Sequence, residues 1–138
     1  MMLKRKHTQS SKLSLVAAVL ICVTSGVAAL AQADFSHLSL SRVESELRSQ
    51  VQMLSKHSEP WAKSVSGRAE FALYKIHNAQ LSSNPSVENM HLDHACQALT
   101  DERALLVEAQ LADAGDSKFL ESLIEQTFTH REILGCQE

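Results

Sequence analysis

The chain has 138 residues, with 13 Lys and Arg against 16 Asp and Glu, and a formal net charge of −3 at pH 7. This acidic balance argues against a nucleic-acid-binding protein, because binding to phosphates needs clustered basic side chains that displace counterions. Glycine and proline are sparse, at 4 and 2 residues, and no strand-like alternation is sustained, so the composition predicts an all-α protein.

The first 33 residues have the features of a secretory signal peptide. Four basic residues and no acidic ones precede an apolar stretch over residues 13–30, and Ala31-Gln32-Ala33 then provides the small-x-small pattern of a cleavage site. The alternative is a retained membrane anchor, which Ser25-Gly26 disfavours because it interrupts the stretch. We therefore expect residues 1–33 to be removed and residues 34–138 to form a single helical domain, either periplasmic or secreted.

Cleavage would leave a more acidic protein. The nine basic and 16 acidic residues that remain give a net charge of −7, and eleven of the acidic groups lie in residues 86–138, which have three basic ones. An acidic C-terminal half could select a basic partner. The other interpretation is a solvated surface that keeps the protein soluble.

Export also bears on the cysteines. Cys22 lies in the predicted signal peptide, which leaves Cys96 and Cys136. In an oxidising compartment an isolated pair of cysteines predicts one disulfide, and two buried thiols are the alternative.

Apolar periodicity and capping residues predict four helices, over about residues 42–56, 60–81, 85–114 and 118–134. The Ser41-Arg42-Val43-Glu44 sequence predicts a capping box at the start of the first helix. Pro60 and Asn84-Pro85 are typical of helix starts, and Gly135 is typical of a helix end. The apolar phase is kept across Thr100, which favours one continuous third helix.

The turn between the last two helices sets their register. Gly115 lies nearly midway between Cys96 and Cys136 and favours a left-handed helix cap. Folding the chain back at Gly115 brings the two cysteines level and places Asp101 opposite Arg131, for which we predict an ion pair. The alternative for Arg131 is a stem over apolar surface with its head in water. The sequence thus predicts a small antiparallel bundle of about four helices, with one disulfide stapling the C-terminal helical hairpin.

A possible metal site lies at the start of the third helix. Glu88, His91 and His94 follow one another at intervals of three, so they can share one side of a helix, and such residues ligate zinc or copper. Exposed polar residues with no ligand are the competing interpretation. The motif resembles half of a carboxylate di-iron site, but the fourth helix offers Glu125 and His130 at the wrong spacing.

The sequence gives no support for catalysis or for a bound cofactor. It contains neither a Cys-x-x-Cys-His haem attachment motif nor a Gly-x-Ser-x-Gly nucleophile motif. It also lacks the glycines of a phosphate-binding loop. We therefore expect no cofactor and no enzymatic activity.

The second helix is apolar on two sides. One stripe is suited to a core, and Phe71, Tyr74 and Leu81 lie on nearly the opposite side. They either pack among the four helices or against the N-terminal arm of the chain (Phe35, Leu38), or they form a face for a protein partner or an unfolded client. From this face and the missing catalytic motifs, the expected function is that of an exported, non-enzymatic interaction protein of the bacterial envelope. The alternative is a periplasmic zinc- or copper-binding protein using Glu88, His91 and His94.

Overall fold

The computed structural model describes residues 37–138. The predicted signal peptide and its cleavage site therefore lie outside the described residues, and export stays a prediction. Within the described part the chain forms helices and no strands, as expected. None of these helices combines the length and the apolar character that a membrane span requires.

Four helices, α1 to α4, make up the described bundle. They occupy residues 37–54 (α1), Pro60–Leu81 (α2), Pro85–Leu111 (α3) and Ser117–Leu134 (α4). The third helix runs through Thr100 without interruption, as predicted. The short connections between helices give antiparallel neighbours, which confirms the predicted bundle.

Local signals explain most of the helix ends. Pro60 and Pro85 occupy first-turn positions, where the missing N–H leaves no bond unmade, and the Asn84 side chain accepts a hydrogen bond from the Ser86 N–H at 2.9 Å. The Asp116 side chain caps α4 in the same way, accepting from the Phe119 N–H at 2.9 Å. Gly135 ends α4 with φ 69°, the predicted left-handed cap.

Two local predictions were wrong. Residues 37–40 are already helical, so Ser41 lies inside α1 and does not cap it. The third helix ends at Leu111, and the left-handed residue in the following turn is Asp113 at φ 52°, not Gly115. Aspartate tolerates this conformation better than most residues.

The bundle is held by two apolar clusters. One joins α1, α2 and α3, and the other joins all four helices around Leu106. The buried face of α2 consists mainly of alanines, which lets its neighbours approach closely. Its members are Ala62, Val65, Ala69, Ala72, Ile76 and Ala79.

An aromatic cluster closes the end of the bundle near the α3–α4 turn. The His57 and Phe119 rings stack with centroids 5.2 Å apart, and Trp61 Nε1 donates to the Ala114 carbonyl at 3.1 Å. A Cβ on Gly115 would come within 3.1 Å of Trp61 Cζ2. A methyl group at position 115 would therefore be tight against the indole ring.

Substitution of Gly115 by Ala is expected to destabilise the protein by about 1 kcal/mol, because the Trp61 ring must shift to admit the methyl group. Gly67→Ala is the matched control. No atom lies within 4 Å of its added Cβ, and the site is an exposed helix interior, so about 1 kcal/mol of stabilisation is expected. Urea unfolding followed by circular dichroism measures both. Two variants that shift in the same direction would contradict this account of Gly115.

Candidate functional site

The outer side of α2 presents the three residues that the sequence singled out. Phe71 is 46% exposed, Tyr74 is 59% exposed and Leu81 is 72% exposed. The buried residues of α2 lie on its other, alanine-rich side, and these three side chains are left largely in solvent. They are therefore not part of the core of residues 37–138, whereas Phe35 of the N-terminal arm lies outside the described residues.

A lysine organises the aromatic part of this α2 face, which we define as Phe71, Tyr74, Lys75 and Leu81. Lys75 Nζ lies 5.3 Å from the centroid of the Phe71 ring and 5.7 Å from that of Tyr74. An ammonium group at this range is attracted to both rings. The face therefore offers two aromatic rings and one cation side by side, a combination typical of protein-binding surfaces.

A groove between α2 and α3 borders the α2 face. It has a volume of about 230 Å³, and Phe71 and Lys75 form part of its α2 wall. On the other wall, Asp101 accepts a hydrogen bond from Gln97 Nε2 at 3.1 Å and lies 3.6 Å from Arg68 across the groove. The groove thus has an aromatic side and a mixed charged side.

Asp101 forms its ion pair with Arg68 and not with Arg131. Asp101 lies on the side of α3 that faces α2, so its carboxylate pairs with Arg68, and the predicted Asp101–Arg131 pair is wrong. Arg131 is buried between α3 and α4, 9% exposed, and its Nε has no hydrogen-bond partner.

The three predicted metal ligands do not converge in this structure. His94 lines the groove between α2 and α3, whereas Glu88 and His91 are half-buried, and His91 Nδ1 lies buried without a hydrogen-bond partner. Among residues 37–138, no three His, Cys, Asp or Glu side chains lie close enough together to hold a metal ion. The zinc or copper site stays a prediction. The structure does bring His94 to the same groove as Phe71.

Sequence reasoning missed a buried polar layer between the two apolar clusters. Glu102 of α3 is fully buried, accepts a hydrogen bond from Gln50 Nε2 of α1 and lies 3.4 Å from Thr127 Oγ1 of α4. Burial raises the pKa of Glu102 to about 7, and the hydrogen bonds to its carboxylate oppose this rise only in part. Its second oxygen, Oε2, has no partner.

A second polar pair, of buried His130 and half-buried Glu46, links α4 to α1. His130 is fully buried, and its Nε2 lies 2.8 Å from Glu46 Oε2. Burial lowers the pKa of His130, whereas the hydrogen bond and ion pair with Arg42 lower the pKa of Glu46. His130 is therefore neutral and Glu46 ionised near pH 7, so His130 Nε2 donates its proton to the carboxylate. The sequence did contain a signal for the buried polar layer around Glu102, because Glu102 and Thr127 continue the apolar stripes of their helices.

These buried groups connect helices and do not line an open site. Glu102, Thr127 and His130 have no exposed surface, so none of them can contact a dissolved ligand in this conformation. The surface features that can take a ligand are the α2 face and its groove. Comparisons with protein-family models, with curated proteins and with solved structures find no match to this chain.

Proposed function

We propose that this chain is an exported, non-enzymatic interaction protein of the bacterial envelope, periplasmic or secreted, that binds another protein through the α2 face. The observation that supports this proposal is the exposure of Phe71, Tyr74 and Leu81 on a helix whose other side already supplies the core. A disulfide between Cys96 and Cys136 fits an oxidising compartment.

The chemistry of the α2 face defines the partner. Tyr74 and Leu81 are seven residues apart, about 10 Å along the helix, so an apolar helix or strand segment of similar length can cover both. Lys75 lies over both rings, whereas Arg68 is already paired with Asp101, so Lys75 is the cation that favours a segment with an acidic side chain beside its apolar ones. The aromatic rings supply affinity and Lys75 supplies orientation.

The Phe71→Ser, Tyr74→Ser double variant is expected to lose partner capture and keep its fold, because substitutions at exposed positions change stability by only about 0.5 kcal/mol each. The mature protein would be immobilised and exposed to the envelope fraction of its own cells. Bound proteins would be quantified by mass spectrometry, and the thermal midpoint of each variant would be measured in parallel.

Met53→Ser is the matched control, because Met53 is 37% exposed but lies on α1. The proposal requires a protein that the wild type and Met53→Ser capture and the double variant does not. Equal capture by all three proteins would refute it. Unfolding of the double variant would show that the rings stabilise the bundle and would also count against the proposal.

A further inference from the structure

The outer side of α3 carries a second stripe that is mainly apolar and, apart from half-buried Val107, exposed. Thr100, Ala104, Val107 and Leu111 follow one another at spacings of four, three and four, and Leu111 is 84% exposed. They line a shallow depression of about 530 Å³. This spacing is that of the a and d positions of a coiled coil, with Thr100 and Val107 at d and Ala104 and Leu111 at a.

Opposite charges flank this α3 stripe. Arg103 lies on the side of the stripe that faces α4, where its guanidinium is 6.0 Å from the Phe128 ring centroid, and Glu108 lies on the side that faces α2. In the heptad these are the g and e positions. Neither side chain forms a salt bridge within residues 37–138.

We propose that the α3 stripe pairs with the α3 stripe of a second copy of this chain, with the two helices parallel and a twofold axis running between them. The stripe is then buried layer on layer, each residue against its own counterpart. The proposal concerns a surface that shares no residue with the α2 face, so it stands independently of the proposed partner.

The charges beside the α3 stripe favour a second copy of this chain as the partner, and they favour a parallel orientation of the two helices. In a parallel pair the g side of one helix meets the e side of the other, five residues further on, so Arg103 of each copy comes beside Glu108 of the other. Symmetry gives this contact twice. In an antiparallel pair with the same four layers, e meets e, and Glu108 would come near Asp101 of the other copy, where like charges repel. The charge pattern therefore complements itself in one orientation.

The size of the surface predicts a modest affinity. The stripe covers about 16 Å of helix, and its hydrophobic members are one Leu, one Val and one Ala, which suits a small, concentration-dependent interface. Sedimentation equilibrium of the mature, disulfide-bonded protein at up to about 1 mM is expected to show a monomer–dimer equilibrium. A chain that remains monomeric at that concentration overturns the proposal.

Charge reversal tests the flanking contacts. Arg103→Glu and Glu108→Arg are each expected to raise the dimer dissociation constant by about tenfold, because each converts two attractive contacts into repulsive ones. The double variant Arg103→Glu, Glu108→Arg is expected to restore wild-type dimerisation. If both single variants dimerise more weakly than the wild type and the double variant does not regain wild-type dimerisation, the parallel arrangement is overturned. Both residues are at the surface, so circular dichroism should show all three variants folded.

A single added thiol tests the orientation directly. In the parallel pair Leu111 faces its own counterpart, so Leu111→Cys is expected to form an intermolecular disulfide under mild oxidation. In the antiparallel pair the two positions are about 16 Å apart, which exceeds the reach of a disulfide. Met53→Cys, on an exposed position of α1, gives the rate of random collision. Crosslinking at position 111 no faster than at position 53 refutes the proposal, and peptide mapping without reductant checks that Cys96–Cys136 remains intact.

Discussion

Removal of the Cys96–Cys136 disulfide is expected to lower the free energy of unfolding by about 4 kcal/mol. The bond closes a loop with a sequence separation of 40, and cross-linking over such a length restricts the unfolded chain by about this amount in the chain-entropy model. Its two Cα atoms are 5.5 Å apart, within the usual range for a disulfide. A loss of this size is a large fraction of the stability of a small domain.

The measurement is urea unfolding of the Cys96→Ala, Cys136→Ala variant beside the wild type. Both cysteines are replaced together, since a single remaining thiol could join two molecules. The wild type in reductant should unfold at the same urea concentration as the double variant, and reductant should leave the double variant unchanged. A loss below about 1 kcal/mol would show that the reduced hairpin keeps its structure in the unfolded ensemble.

The disulfide also shows which part of the register the sequence could predict. Equal arms around Gly115 placed Cys96 level with Cys136, and the bond confirms it. The same register placed Asp101 level with Arg131, yet Asp101 pairs with Arg68. Sequence distance fixes the height of a residue along a helix, but the side it faces depends on the rotation of the helix about its axis. Asp101 and Glu102 differ by about 100° of rotation, and it is Glu102 that faces the interior.

Helix ends were predictable where a residue physically blocks the helix. Pro60, Pro85 and Gly135 set their boundaries through ring geometry or a left-handed backbone, and these boundaries agree with the structure. The predicted capping box at Ser41 does not agree with the structure. A Ser and a Glu three residues apart are compatible with a helix interior as well as with its start. A cap is a preference that a continuing helix can override.

The exposure of the α2 face was beyond sequence reasoning. Two apolar sides on a helix are equally consistent with a helix wedged between neighbours and with one that keeps a free face. In the structure the buried residues of α2 lie on its alanine-rich side, and Phe71 and Tyr74 are left 46% and 59% exposed. Hydrophobicity alone does not distinguish a binding surface from a core.

The buried carboxyl group of Glu102 is expected to make stability fall as the pH rises. Its pKa is about 7 in the folded protein against 4.5 for an unperturbed glutamate, so the folded state binds the proton more tightly than the unfolded one. The stabilisation by this proton is complete below pH 4.5 and is lost as the pH rises to about 7. This difference between the folded and unfolded pKa values corresponds to a loss of about 3 kcal/mol in the free energy of unfolding once the pH is above about 7.

Two other groups, buried His130 and half-buried Glu46, change stability in the opposite direction. Burial lowers the pKa of His130, so its contribution is lost as the pH falls below 6.5. The pKa of Glu46 is also lowered, chiefly by Arg42, so its contribution is present above 4.5 and is lost at more acidic pH. The loss from Glu102 between pH 4.5 and about 7 overlaps the loss from His130 below pH 6.5, so the pH profile of the wild type contains both contributions and a difference between two proteins is needed to separate them.

Comparing Glu102→Gln with the wild type isolates the contribution of Glu102 to stability. The other titrating groups contribute equally to both proteins and cancel when one free energy of unfolding is subtracted from the other. The free energy of unfolding of the variant minus that of the wild type is expected to increase between pH 4.5 and about 7 and to level off above it, where the variant is more stable by about 3 kcal/mol. The amide introduced by this substitution keeps an oxygen that can accept from Gln50 and carries no charge to bury. Urea unfolding at half-unit steps of pH measures the curve.

Glu125→Gln provides the control, because it removes an exposed carboxylate from α4. Its difference from the wild type should stay within about 0.5 kcal/mol over the same pH range. A flat difference for Glu102→Gln would mean that water reaches this carboxyl group through local opening of the bundle. Because Glu102 has contacts with both α1 and α4, such an opening would separate α3 from two helices at once. The pH curve therefore also reports whether the polar layer holds α1, α3 and α4 together in solution.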